Sequence, residues 1–591
     1  MSECVSASNA DTARLAVTIS SFAMTSSTNQ HRSTPDGHGD EALSADLTQY
    51  NANINGEVSL VTQLVDFKGK ERSEDQDPFV PVHNLPNELL SYIFTLGSEV
   101  ERRGDDDDDS DEEEEEEDAT SEHGPHFPFQ VLVSHVCQRW RVVAIETPTL
   151  WTGLDFSEGP PFEKSRTWLE RSKECPLDIE LDCTVEPEPE SESESDASED
   201  QAGPASENEH FAPQMPGGPP LPPLRGKAIT KLSSHISPTD LPVVRDLILP
   251  HSARWRVFEH MVDDFQIMYG ILSALASIPE APELRTLRLY HHEENEDNDH
   301  FMPAPLREPF FAPFCGRAPG LGKVTLWGVH VDWEACAFLQ GLEELELAYH
   351  TKDVRPPYDT FIRILRGSPD LRNLTLSASG PAGNPDVDHW PADVIELPSV
   401  RKLTLAFVEP SYASALMKRL VFPNLQVLTL DFDPDDYSPL IAQLTKPAPN
   451  QRYSLCENLV ELKLLGMHCS DSALYSLYFG LPNVLKLELN FHHLDHKFLG
   501  GLIAMEILED GPKDYALPKL NFLKTSGVSG VRMRHLLTLR QSIKHVRMES
   551  KDDLKIEDLV WLPANTESFH LFDGSDDDDV DEDEDEDDED E

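Results

Sequence analysis

A frame of the form apolar-x-x-apolar-x-apolar recurs along the chain, and it restricts the fold more than any other feature. It occurs at Val244/Leu247/Leu249, Leu284/Leu287/Leu289, Leu321/Val324/Leu326, Leu342/Leu345/Leu347, Leu371/Leu374/Leu376 and Val400/Leu403/Leu405. It continues at Leu425/Leu428/Leu430, Leu459/Leu462/Leu464 and Val484/Leu487/Leu489. Weaker copies stand at Leu520/Leu523/Thr525, Ile543/Val546/Met548 and Thr566/Phe569/Leu571. The last two positions of each copy are two residues apart, the spacing at which side chains share one face of a strand. The first belongs to the turn that enters the strand. One unit cannot bury its apolar face alone, whereas stacked neighbours bury a continuous stripe, so the repeat predicts a solenoid of parallel strands.

The stretches between copies read as return helices. Residues 254–278 place Trp255, Phe258, Met261, Val262, Phe265, Met268, Tyr269, Leu272 and Leu275 at helical spacing. Residues 356–366, 412–420, 470–479 and 533–539 are expected to be helical as well. Several copies carry a proline just before the frame, as in LPSVRKLTL, FPNLQVLTL and LPNVLKLEL, which marks the stop of the preceding helix. The fold class is therefore α/β. The frame resembles that of leucine-rich-repeat proteins, without the strong Asn or Cys that follows the strand in the commonest version. That departure implies irregular turns.

Ahead of the repeat, residues 81–151 form a separate helical region in two halves. LPNELLSYIFTL begins at Leu85 and VLVSHVCQRWRVVAIETPTLW at Val131, with an acidic segment between them. Leu89, Leu90, Ile93, Phe94 and Leu96 recur at helical spacing, as do Val131, Leu132, His135, Val136, Trp140, Val143 and Ala144. Pro86 suits a first helical turn with Asn84 as a cap, and Thr147-Pro148 ends the last helix. The expected insert spans residues 98–127. It is tolerable because loop-closure entropy grows slowly with length.

These halves together resemble the F-box of fungal F-box proteins. Leu85-Pro86, Glu88, Leu89-Leu90 and Ile93-Phe94 match the first part of that pattern. Val136-Cys137-Gln138-Arg139-Trp140-Arg141 and Pro148-Thr149-Leu150-Trp151 match the rest. The resemblance implies a three-helix unit that docks a Skp-type adaptor and thereby a cullin-RING ubiquitin ligase. It implies that Leu85, Pro86, Leu89, Leu90, Ile93, Phe94, Val136, Cys137, Trp140 and Leu150 supply the adaptor-binding surface. Some of these are expected to be internal core, because a unit this small buries little alone.

The remaining limits follow from composition. Residues 1–80, rich in Ser, Thr, Asn and Asp, are expected to be disordered, with 58–67 as a short helix or strand. Residues 152–183 read as strand, helix, strand and form the first solenoid units. Residues 184–225 are Glu-, Ser- and Pro-rich and cannot build a core. The solenoid then occupies 226–572, and an acidic tail covers 573–591.

The formal net charge is −61. The runs at 105–118, 186–209 and 573–591 hold 39 of the 109 acidic residues, and without them the chain stays acidic, at about −22. That balance argues against binding nucleic-acid backbones, which needs Lys and Arg to displace counterions. No targeting segment and no apolar run of membrane-spanning length is evident, so no membrane partner is expected. The eight cysteines form no CxxC pair, which suits buried thiols in a reducing compartment, cytoplasmic or nuclear.

Motifs for bond chemistry are missing: no GxxxxGK[ST], GxSxG or HExxH occurs. His492, His493 and His496 could hold a metal if helical, but no further ligands accompany them, and a polar loop is the blander reading. The acidic runs lack the glycine turn of a calcium loop. No cofactor or metal is expected. Ser110, Ser191, Ser193 and Ser575 each have a carboxylate three residues on, the context of an acidophilic kinase.

The expected function is a non-catalytic substrate receptor of a ubiquitin ligase. Its target and substrate-binding residues are unknown from sequence. The alternatives are a leucine-rich-repeat scaffold outside any ligase, or an acidic binder of basic proteins such as histones.

Overall fold

The computed structural model describes residues 85–104, 127–184, 236–292, 299–383, 390–446, 456–506 and 514–572. Residues 1–80, the stretch 58–67, Asn84, the acidic run 105–118, most of 184–225 and the tail 573–591 lie outside them, as do Ser110, Ser191, Ser193 and Ser575. The chain divides into two compact units: Met1–Arg102 with Gly124–Leu150, and the remainder.

Among its described residues the first unit contains three α-helices: α1 (Asn87–Gly104), α2 (Phe129–Val136) and α3 (Gln138–Glu146). Helix α1 continues past Ser98, where the insert was expected to start. Leu90, Phe94, Val133, Trp140, Val143, Ala144 and Leu150 form the core, and the Phe94 and Trp140 rings lie 5.0 Å apart. Polar ties hold the helices in place. The Arg139 guanidinium donates to Asn87 Oδ1 (2.9 Å) and to the Leu85 carbonyl, fixing the start of α1. Ser91 Oγ and Thr147 Oγ1, 2.7 Å apart, join α1 to the end of α3. Between α2 and α3 the backbone of Cys137 is extended, and its sulfur accepts the Trp140 N–H (3.5 Å) as an N-cap.

The described residues on either side of the acidic segment meet. The Glu101 carboxylate accepts the Phe129 N–H at 2.9 and 3.0 Å, so the last turn of α1 caps the first turn of α2. Gly97 permits this approach: a Cβ there would lie 2.3 Å from the Phe129 ring.

The second unit is α/β and solenoid-like. It opens with β1 (Gly153–Leu154), α4 (Glu163–Arg171) and β2 (Leu177–Cys183), the strand, helix, strand order expected for residues 152–183. There follow α5 (Leu241–Ile248), β3 (Trp255–Val262), α6 (Phe265–Ala276), β4 (Thr286–His291), β5 (Lys323–Trp327) and β6 (Glu344–Ala348). Next are α7 (Tyr358–Arg366), β7 (Asn373–Ser377), β8 (Ile395–Glu396), β9 (Lys402–Ala406), α8 (Pro410–Met417) and β10 (Leu420–Val421). Then come β11 (Val427–Asp436), α9 (Ser438–Leu444), β12 (Glu461–His468), α10 (Asp471–Phe479), β13 (Lys486–Asn490) and α11 (Lys497–Gly501). The described chain ends with β14 (Met505–Glu506), β15 (Asp514–Tyr515), β16 (Phe522–Ser526), α12 (Gly530–Leu539), β17 (His545–Glu549), α13 (Ile556–Asn565) and β18 (Ser568–Phe572).

One 14-stranded sheet takes these strands in chain order, leaving out only β8 with β10 and β14 with β15, which pair separately. Every neighbouring pair in it is parallel. The registers align the repeat. One ladder runs Leu154, Ile179, Phe258, Leu287, Val324, Leu345, Leu374, Leu403, Leu428, Leu462, Leu487, Leu523, Val546, Phe569. From Leu154 to Val546 every member is at most 3% exposed. The leading residue of a copy closes a tight turn, as in Leu371 N–H to Ser368 O and Leu425 N–H to Phe422 O. Even the weak copies at 520, 543 and 566 enter strands.

Two expectations are corrected. Val244/Leu247/Leu249 does not enter a strand: residues 241–248 are helix α5, with Pro242 in its first turn and Leu241, Val244 and Ile248 on the buried side. Residues 254–278 are not one helix. Trp255, Phe258 and Val262 fit helical spacing, but they also lie on β3, whose buried alternation runs through Phe258, His260 and Val262. Asp264 then accepts the Gln266 N–H (2.8 Å) and starts α6.

Candidate functional site

Burial divides the ten residues of the expected adaptor surface. Leu90, Phe94, Trp140 and Leu150 are at most 1% exposed and are the members that belong to the internal core, as was expected of some of the ten. Leu85, Ile93, Val136 and Cys137 are half-buried, while Pro86 and Leu89 are exposed. Around the exposed members stand residues that the motif did not mark: Tyr92, Val100, Leu132 and Val142, between 38% and 61% exposed.

On α1 the pattern has a physical logic. Leu90, Phe94, Gly97 and Ser98 face the core, and Leu89, Tyr92, Ile93, Leu96 and Val100 form a second apolar stripe beside them. Of these five apolar side chains at helical spacing, Leu89, Tyr92 and Val100 are exposed and Ile93 and Leu96 half-buried, in a unit with a small core. The signal was available in the sequence as apolar residues too numerous for one helix face. Soluble proteins seldom leave such a stripe without a partner.

In the second unit, chemistry is concentrated on the sheet face opposite the leucine ladders. Its central column runs Glu180, Glu259, Arg288, Thr325, Glu346, Thr375, Thr404, Thr429, Lys463, Glu488, Lys524, Arg547, His570. Period-two alternation puts these side chains on the side away from the core. The face is tied together by ion pairs across strands. Arg288 meets Glu259 at 3.1 Å, and Lys463 lies 3.6 Å from Glu488, which lies 3.3 Å from Lys524. The centre is instead a run of threonines, small and uncharged.

Titratable groups inside the sheet have structural partners. His260, fully buried in register between Leu181 and Leu289, has Nδ1 3.1 Å from the Leu181 carbonyl, and burial pushes its pKa down to about 4. His350 bridges Ser379 Oγ and the Val329 carbonyl at 2.9 Å each, and burial pushes it to about 3. Burial raises the thiols of Cys183 and Cys456 to about 12, and that of Cys469 to about 11, so none of the three is a thiolate nucleophile at neutral pH. The three histidines after β13 diverge: His492 Nε2 meets Glu549 at 2.8 Å, and His496 stacks on Phe491. Among the described residues no group of three or more His, Cys, Asp or Glu is placed to hold a metal ion. Nor is any described helix long and apolar enough to cross a membrane.

No family model matches the chain, and no curated protein does.

Proposed function

We propose that this chain is a non-catalytic substrate receptor of a Skp-cullin-F-box type ubiquitin ligase. In this reading the helical unit is an F-box that docks a Skp-type adaptor, and the second unit is a leucine-rich-repeat solenoid that receives the target protein. The observation that carries it is the apolar stripe Leu89, Tyr92, Ile93, Leu96 and Val100, three of them exposed and Ile93 and Leu96 half-buried. It lies on the helix that bears the LPNELLSYIF half of the motif. An adaptor covering this stripe would complete a core that the unit leaves unfinished. The Glu101–Phe129 clamp supports the same reading, since it keeps α1 and α2 joined whatever length of acidic chain leaves between them.

The mechanism needs no reactive group in this chain. Holding adaptor and target on one polypeptide raises the target's effective concentration near the ubiquitin-charged enzyme.

Capture of purified Skp-type adaptor by the full chain tests the reading. Wild type should bind, and Leu89→Asp/Tyr92→Asp should lose binding at least tenfold while retaining its melting profile, because both side chains are already exposed. Failure of the wild type to bind, or equal binding by the variant, removes the proposal.

A further inference from the structure

The sheet face opposite the leucine ladders carries an aromatic belt at the C-terminal ends of its middle strands, with Tyr290 buried and His292, Trp327, Tyr349 and Phe407 half-buried. Tyr290 on β4 pairs in register with Trp327 on β5, their rings 6.4 Å apart. His292 stacks on Tyr290 at 5.8 Å and lies 6.0 Å from Trp327. Trp327 stacks on Tyr349 at 4.6 Å, and Tyr349 reaches Phe407 at 6.1 Å. Between them the floor is small: Ala348, Ser377, Ala378 and Ala406.

The belt is held by an unusual backbone. Tyr349 and Phe407 each follow a strand in the left-handed region, both with φ of 50°. Each donates its N–H to the end of the next strand, at Ser377 O and Asp431 O, both 2.8 Å. Gly328 makes the same turn after β5, with φ of 63°, at no steric cost. Two repeats thus place an aromatic where glycine would be easier. Ala378 makes the same turn after β7, with φ of 45° and its N–H on the Ala406 carbonyl, so the turn belongs to the repeat and the aromatic is what two of its copies add there.

Carboxylates stand at both ends of the belt. Burial lowers the His292 pKa, against the upward pull of Asp263 and Asp182 nearby, and burial raises the Tyr349 hydroxyl to about 12, with Asp431 and Asp433 acting in the same direction. Burial, and after it the neighbouring Asp435, raises the pKa of Asp433. Nearby cations are already engaged, Arg288 with Glu259 and Lys352 with Asp299 and Glu409.

We infer that this belt is the target-binding site and that it takes an extended, positively charged polypeptide segment. Aromatic faces attract guanidinium and ammonium groups, and the flanking carboxylates complement further cations along the same segment. At about 4.8 Å per strand, β4 to β9 spans roughly 19 Å, the length of about six extended residues. Including the carboxylates on β2 and β11, roughly ten residues would be covered. The inference deepens the receptor reading by naming the class of target, and rests on it for why the face receives a protein at all.

The test titrates the full-length protein, at about 150 mM salt to screen its acidic runs, with a synthetic peptide of about ten residues alternating Arg and Gly. The control peptide carries uncharged citrulline in place of Arg. The Arg peptide should bind at least about tenfold tighter than the control, and Trp327→Ala/Tyr349→Ala should weaken it about tenfold. Asp431→Asn/Asp433→Asn, at exposed or half-buried positions that leave folding undisturbed, should weaken it several-fold. Deleting residues 573–591 should leave the Trp327 dependence intact. The inference is overturned if the aromatic variant, folded by circular dichroism, binds within twofold of wild type. It is also overturned if Arg225→Gln/Lys227→Gln/Lys231→Gln tightens binding tenfold, since the occupant would then be this chain's own basic segment. Adaptor capture read on the same variants separates the two proposals. Peptide binding without adaptor binding leaves the belt standing and the ligase reading refuted; the reverse result refutes the belt alone.

Discussion

The two units solve the same problem, burying apolar side chains, in opposite ways. The helical unit closes a small core around Trp140 and Phe94 and leaves Leu89, Tyr92, Ile93, Leu96 and Val100 on the outside of the same helix. The sheet unit sends its leucines inward through registered ladders and shows the solvent threonines, ion pairs and a belt of aromatics. A stacked repeat completes each unit's core with the next, so it needs no partner to be stable. A three-helix unit has no next copy, and its unburied stripe is the place where another chain would finish it. On the functions proposed above, the difference separates two kinds of surface: apolar on the helices, polar and aromatic on the sheet.

The sharpest test of that difference lies within the helical unit. Trp140→Ala removes a 1% exposed ring from a small core and should cost roughly 3–5 kcal/mol. In scanning calorimetry the transition of the helical unit should fall steeply while that of the sheet unit stays in place. Tyr92→Ala, at 61% exposure, should shift neither by more than roughly 0.5 kcal/mol and yet weaken adaptor capture. Equal losses of stability from both substitutions would mean that the outer stripe is core, and the contrast between the units would fail.

Much of the sheet was legible from the residue pattern, and much of the helical unit was not. Where a copy such as Leu403/Leu405 repeats beside others of the same spacing, only one register aligns all the leucines. At 244–249 and 254–278 that redundancy is missing, because Trp255, Phe258 and Val262 satisfy both a helical and a strand period. The buried member that would have decided for β3 is His260, a polar residue that no apolar count includes. In the helical unit, Leu89 and Leu90 are chemically the same and adjacent, yet one is 49% exposed and the other 0%. Only the packing angle of α1 separates them. The aromatic belt is not legible in the sequence because its members are scattered over four repeats, up to 117 residues apart from Tyr290 to Phe407, and meet only through the register.

His260 also limits how apolar the sheet interior is. Its folded pKa, about 4, lies below the ordinary 6.5, held down by burial although the Leu181 carbonyl and Asp182 act upward. The unfolded chain therefore binds the proton more readily. Stability from this group is complete above pH 6.5 and is lost as pH falls toward 4, by roughly 3 kcal/mol across the window. His260→Leu should shrink the difference between urea midpoints measured at pH 7 and pH 5. An unchanged difference would assign the acid sensitivity to other groups, His350 first among them.

Gly97 probes the helical unit again, with a smaller effect. Its missing Cβ is where the Phe129 ring lies, so Gly97→Ala forces that ring aside and should destabilise by roughly 1–3 kcal/mol. The loss should appear with the acidic segment 105–126 present or replaced by a short linker, if the Glu101–Phe129 clamp rather than the insert sets the α1–α2 geometry. A loss seen only with the native segment would give the insert a structural role.

The smallest effect runs in the stabilising direction. Thr525 occupies the ladder position held by Leu489 on one side and Met548 on the other, at 0% exposure, and its hydroxyl oxygen has no hydrogen-bond partner. A buried hydroxyl without a partner carries its desolvation cost uncompensated. Thr525→Val keeps the β-branched shape and removes that cost, so chemical denaturation should give a gain of about 1 kcal/mol with an unchanged m-value. A loss instead would show that the hydroxyl is bonded in solution, and that the interior near β16 admits the polar contacts the rest of the ladder excludes.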